Sequence, residues 1–158
     1  MLTTESLAIL GGALALAGGL VGSAIGMAIA GCAGAATLSE DPKQFRNVLV
    51  LASLPMTQTF YGLIVLILIL TSVVPKIQGM EGAGGAGFAV LCCGIIASFA
   101  ELISAIYQGV VCAAGISMLP KTRGAILTAS MLLAVYIELI GVLGMVTSIM
   151  ALSIMKLL

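Results

Sequence analysis

Long apolar stretches alternate with short polar breaks along this chain. The apolar segments run over about 7–37, 48–74, 83–119 and 125–157. Each exceeds the ~20 residues with which a helix crosses a bilayer, so the pattern predicts four membrane-spanning helices. The breaks at 39–47, 75–82 and 120–124 collect Pro, Gly and charge. At ~1.5 Å rise per residue such helices reach ~40 Å or more against a ~30 Å hydrocarbon core, so they are expected to protrude or tilt. The first segment carries a cleavage-like spacing at Ala13, Leu14 and Ala15. It lacks a basic leader, however, its early charge being Glu5, and its apolar run continues to Leu38. It therefore reads as a retained membrane helix.

Basic residues set the expected orientation. Lys43, Arg46, Lys121 and Arg123 lie in the first and third breaks, against Lys76 and Lys156 on the other side. The positive-inside bias then places loops one and three in the cytoplasm and both termini outside. Those two short loops offer a docking surface for a cytoplasmic partner.

The four segments form two copies of one unit. A shift of 81 residues aligns Ser23-Ala24-Ile25 with Ser104-Ala105-Ile106, Ala33-Gly34 with Ala114-Gly115, and Leu38 with Leu119. With one more residue of offset, Ala52 meets Ala134 and Gly62 meets Gly144. The fold class expected is an all-α membrane protein of two tandem, parallel helical hairpins, residues 1–78 and 79–158. Small residues recur every fourth position in helix one, at Gly18, Gly22, Gly26, Ala30 and Gly34, and in helix three at Gly109, Ala113 and Ser117. Such stripes let backbones approach closely, either within a bundle or around the axis of a larger assembly.

Against this background a few polar residues stand out. Glu138 sits deep in helix four, where a lone carboxylate costs about 2.5–3.5 kcal/mol on insertion scales. It must be protonated, paired or cation-bound. Thr57 and Gln58 precede Tyr61 by four and three residues, placing all three on one face of helix two, and helix three supplies Gln108. Counted inward from loops one and three, Gln58, Gln108 and Glu138 lie at depths of ~17 to ~21 Å, in one layer. A proton needs only the carboxylate. Sodium needs several hard oxygens, which this set offers. Pro55 cannot donate to the Leu51 carbonyl and so leaves backbone oxygen available nearby. Glu101, seven residues before Gln108, is a second embedded acid ~10 Å nearer the outer side. A protonated or water-exposed structural role is expected for it, ahead of lining an inner cavity or flanking the ion route. Met27 and Met56 take the places of Gln108 and Glu138 in the first repeat.

Composition narrows the function classes. Hydrophobic residues make up 61% and charged residues 8%, with six acidic and six basic side chains cancelling to a net charge of +0. That excludes a soluble domain and leaves no basic field for nucleic acid. His is absent, and Cys32, Cys92, Cys93 and Cys112 all lie in apolar stretches, where they are expected to pack as small hydrophobes between helices. The Gly-rich stretch 79–87 lacks the Lys and Ser or Thr of a phosphate loop, so no nucleotide site is expected.

The doubled hairpin, the Glu in the last helix and the run Pro55-Met56-Thr57-Gln58-Thr59-Phe60-Tyr61-Gly62 with Gln108 resemble the proteolipid (K/c) rotor-ring subunits of bacterial sodium-transporting V-type ATPases. The resemblance covers nearly the whole chain. It implies a non-catalytic membrane subunit of an ATP-driven pump in the bacterial plasma membrane, in a ring of identical subunits surrounded by lipid. It further implies a stator subunit bearing an essential arginine and a central stalk docked on loops one and three. The implied cargo is Na+, with H+ and Li+ as competitors. Its implied ligands are the Glu138 carboxylate, the Gln58 and Gln108 amides, the Thr57 hydroxyl and the Leu54 carbonyl, with Tyr61 hydrogen-bonded to the carboxylate. Met56 and Thr59 replace glycines typical of that branch, and Glu101 has no acidic counterpart in it. Two other readings remain open: the same rotor carrying protons, and a small four-helix transporter of organic cations. The second is disfavoured by an aromatic content of 4% with no Trp.

Overall fold

In a computed structural model, which describes residues 3–80 and 85–158, the chain forms the expected four long helices. They are α1 (Thr4–Glu40), α2 (Pro42–Gln78), α3 (Ala86–Thr122) and α4 (Leu127–Ile154). All four are long and apolar enough to cross a membrane, and the arrangement is that of two tandem hairpins. The expected start of helix three at Ala83 and part of the 79–87 stretch lie outside the described residues.

α1 and α2 extend further at both ends than the sequence pattern suggests and α3 further at its end, whereas α4 is shorter than the expected 125–157. The reasons for the extensions are local. The expected first loop at 39–47 shrinks to a sharp turn at Asp41. The Asp41 N–H donates to the Thr37 carbonyl at 2.9 Å, while its carboxylate accepts from the Lys43 N–H at 3.1 Å and from Gln44 Nε2 at 3.0 Å. Pro42 then opens α2 at the position where a missing N–H costs nothing. Pro75 does not end the second helix, which continues to Gln78. A π turn over Ile69–Val73 directly precedes it and absorbs the disturbed hydrogen bonding. Nor does Pro120 end α3. It cannot donate to the Ile116 carbonyl four residues back, and the Thr37 hydroxyl of α1 bonds that oxygen instead at 3.1 Å. The helix stops at Arg123, which is left-handed with φ 52°, followed by Gly124 at φ 85°, whose N–H returns to the Leu119 carbonyl at 3.0 Å.

The centre of the protomer is the seam between α1 and α3, with α2 packed on α1 and α4 on α3. The small stripe of α1 faces inward as expected, and Gly18, Gly22, Gly26, Ala30 and Gly34 are all buried. A Cβ at Gly94 would collide with the Gly11 backbone, and one at Gly109 with the Gly26 backbone. Here the two main chains touch directly, which only glycine permits. On α3 the strict four-residue stripe is corrected. Ser117 is exposed and Ala113 half-buried, while the buried positions continue through Gly109, Cys112 and Ile116, and Gly115 packs on Ser130 of α4. Four residues overshoot a helical turn of 3.6, so a fixed step of four drifts off the buried face. The expected packing of the cysteines holds for Cys93 and Cys112, whereas Cys32 and Cys92 face outward.

Two apolar clusters fill the interior. One gathers Val65, Ile69, Val73, Val90 and Leu152 towards the termini, and the other Val48, Leu51, Cys112, Ile116 and Leu119 towards the first and third turns. Between them lie the fully buried polar side chains Gln58, Glu101 and Gln108, with Ser104 1% exposed. Outside, Phe60, Leu63, Ile67, Leu132, Tyr136, Ile140 and Leu143 are exposed, an apolar belt suited to lipid or to neighbouring subunits rather than to water.

Candidate ion-binding site

The site grows out of three helices at one level. In α2 the helix tightens to a 3₁₀ turn at Leu54–Met56, because Pro55 supplies no N–H. The turn brings the Leu54 carbonyl under the Thr57 side chain, whose hydroxyl donates to it at 3.2 Å and lies 3.1 Å from Gln58 Oε1. Three oxygens from five consecutive residues are thereby strung at contact spacing. Oxygens so placed can share one cation with ligand distances of about 2.3–2.6 Å, those of a calcium-sized ion, and sodium has a similar radius.

The Glu138 carboxylate comes from α4 and is held from both sides. The Tyr61 hydroxyl donates to Oε1 at 2.7 Å, and Gln108 Nε2 donates to Oε2 at 3.3 Å. Gln58 Nε2 in turn donates to Gln108 Oε1 at 2.9 Å and to Ser104 Oγ at 3.1 Å. The whole set, Leu54, Thr57, Gln58, Tyr61, Gln108 and Glu138, is continuous through hydrogen bonds. Gln58 and Gln108 are fully buried, and Glu138 is half-buried beside the exposed Val135, Tyr136, Leu139 and Ile140. The carboxylate thus sits just beneath the apolar outer surface.

One geometric point differs from a ready-made oxygen cage. Gln108 presents its amide nitrogen, not its oxygen, to Glu138. A half-turn of that terminal amide would exchange the two, since the planar group is nearly symmetric in shape. Sequence reasoning also missed Ser104, which accepts from Gln58 and donates to the Ile137 carbonyl at 2.8 Å, tying α3 to the turn of α4 that carries Glu138. Its position four residues before Gln108 was a usable sign, since that spacing returns to the same helix face. Glu101 is not part of this network. Among the described residues neither of its oxygens has a hydrogen-bond partner, and its full burial within the protomer removes the water-exposed role expected for it.

The family of ATP synthase C-subunits matches the chain twice, over residues 10–69 and 91–151, once in each hairpin. The chain belongs to that family. Curated relatives include the A-type ATP synthase subunit K of Methanocaldococcus jannaschii, 37% identical over 91% of this chain and 63% of that protein. Another is the V-type sodium ATPase subunit K of Enterococcus hirae, 34% identical over 81% of this chain and 78% of that protein. The chain thus spans somewhat less than two thirds of the archaeal relative. As a member of the C-subunit family with four membrane-spanning helices it is a multi-pass membrane protein, and its two matched segments are the duplication seen at the 81-residue shift.

Proposed function

We propose that this proteolipid is a non-catalytic rotor subunit of a V/A-type ATPase and that it carries Na+ on Glu138. The observation that supports this most is the hydrogen-bonded chain from Leu54 through Thr57, Gln58 and Gln108 that meets Tyr61 at the Glu138 carboxylate, just under an apolar surface. A bare carboxylate facing lipid is costly, whereas a carboxylate with its cation, further satisfied by amide and hydroxyl oxygens, is not. Loading therefore permits the protomer to move through lipid, and unloading confines it to a wet or positively charged place. Identical subunits form a ring, and the exposed belts of α2 and α4 meet neighbours and lipid. A stator arginine displaces the ion between two access routes. A central stalk, turned by ATP hydrolysis in a soluble head, docks on the turns at Asp41 and Arg123, which lie on the cytoplasmic side with both termini outside. The name of the enterococcal relative, which specifies a sodium ATPase, supports the choice of ion.

The orientation of the Gln108 amide favours a second reading, the same rotor with H+ as cargo, since its N–H serves a carboxyl group directly. Carbodiimide labelling separates the two. Glu138 reacts only when protonated, so sodium binding slows labelling of purified rings at a pH where part of the carboxyl carries a proton. No slowing at high sodium assigns the site to protons.

A further inference from the structure

Glu101 is the second acid within the spans, and nothing in the ion site uses it. The side chain is fully buried, and among the described residues neither oxygen has a hydrogen-bond partner. It lies where α1, α2 and α3 meet. Oε2 is 2.7 Å from the place a Cβ would occupy at Gly62, and the Ala15 carbonyl oxygen of α1 is 2.6 Å from that same point. The slot exists because residue 62 has no side chain. No cavity opens beside it among the described residues.

The surroundings decide which cation this carboxyl can hold. All six basic residues lie at helix ends, in positions 43, 46, 76, 121, 123 and 156, and Glu101 stands more than ~20 Å along α3 from either end. From α1 the residues at the slot are Ala15 and Leu16, neither of them titratable. From α2 the titratable neighbour is Tyr61, and from α4 it is Glu138, and these two bond each other. On α3 itself Cys93 and Cys112 are two turns or more away, and Tyr107 faces outward. Among the described residues neither carboxyl oxygen has a donor, so ionisation here would leave a buried anion without partners, the costliest state. Sodium is excluded by the same packing. It needs several oxygens, and those of Thr57, Gln58, Ser104 and Gln108 are engaged with one another. A proton needs only one oxygen on Glu101, and the Ala15 carbonyl oxygen borders the same Gly62 slot.

We propose that Glu101 is a second, proton-only binding site in each protomer, holding its proton at the α1–α2–α3 junction while Glu138 exchanges its ion. The proposal extends the reading of Glu138 as the exchanging carboxyl but does not depend on which ion that group carries. Infrared spectroscopy of purified rings tests it through the carbonyl stretch of a protonated carboxyl. In Glu138→Gln rings at pH 8 the carboxylic acid band persists with and without sodium. It is lost in the Glu101→Gln/Glu138→Gln double variant. Absence of the band in Glu138→Gln rings, or its loss on adding sodium, overturns the proposal. Glu101→Gln alone keeps size, neutrality and a donor, so it assembles and binds the Glu138 ion with unchanged affinity. Failure of the sodium reading looks different: sodium then leaves the Glu138 signal of wild-type rings unaltered while the Glu101 band remains.

Discussion

Replacing Gln108 with Leu preserves volume but deletes the amide that links Glu138 to Gln58. The structure allows the effect to be sized. The substitution removes the 3.3 Å bond to Glu138 Oε2 and the 2.9 Å acceptor for Gln58 Nε2. Gln58 keeps its bond to Ser104, so the second loss is partly compensated. A hydrogen bond to a charged group contributes about 1.5–3 kcal/mol, and a ligand oxygen withdrawn from a cation falls in the same class. With a factor of ten per 1.4 kcal/mol, the Kd for sodium rises ~10- to ~150-fold. Equilibrium binding of radiolabelled sodium to detergent-purified rings measures this directly, with ring mass as the check on assembly. Gln78→Leu serves as the control, because its bond to Glu5 lies at the far end of the protomer. An assembled Gln108→Leu ring whose Kd stays within about twofold of wild type refutes the idea that Gln108 serves the cation.

Tyr61→Phe removes the 2.7 Å bond to Glu138 Oε1. It should weaken sodium binding by ~10-fold or more, and carbodiimide should label Glu138 faster at a given sodium concentration. Gly109→Leu places a side chain on the Gly26 backbone, so rings should fail to assemble, read as loss of the high-mass species in size-exclusion chromatography. Thr37→Val leaves the Ile116 carbonyl without a partner and should cost about 1–3 kcal/mol of protomer stability. In that background Pro120→Ala should restore part of the loss by returning an N–H to the same oxygen, which a double-mutant cycle in denaturant titrations would register.

The helices and the polar layer were legible because both rest on simple periodicities. Four apolar runs longer than a bilayer leave no alternative to spanning helices, and residues counted inward from the turns fall at matching depths when helices are straight. The drift of the α3 seam from Ala113 to Cys112 was not legible in a stripe written at fixed spacing, although the helical pitch predicts it. The three prolines misread as breaks share one cause. Pro42, Pro75 and Pro120 each look like a stop in one dimension. In the structure the missing bond falls at a helix start, in a π turn, or opposite a hydroxyl of another helix. Thr37 and Pro120 are 83 residues apart, so no local rule could have paired them. The Gln108 amide orientation likewise follows the Gln58 Nε2 donor rather than anything in helix three alone.

The contrast between the seam and the site explains how one small protein can be both rigid and exchangeable. Along α1 and α3 the backbones touch at Gly11, Gly26, Gly94 and Gly109, and interiors packed to that degree do not deform continuously. Gln108 and Ser104 project from this fixed wall and set the depth of the site. Their partners sit on the outer helices: the 3₁₀ turn of α2, which lacks the Pro55 N–H, and the turn of α4 around Glu138. That turn is tied to the wall by Ser104 to the Ile137 carbonyl, Gln108 to Ala134 and the carboxylate bonds themselves. A Cβ at Gly141 would meet Gln58 and Ser104 side chains at 3.2 Å rather than backbone, so at the level of the site α4 leans on groups that can rotate. Releasing the carboxylate therefore requires breaking a few polar contacts, not parting a glycine seam. On the proposed reading of Glu138, exchange of its ion leaves the α1–α3 seam in place.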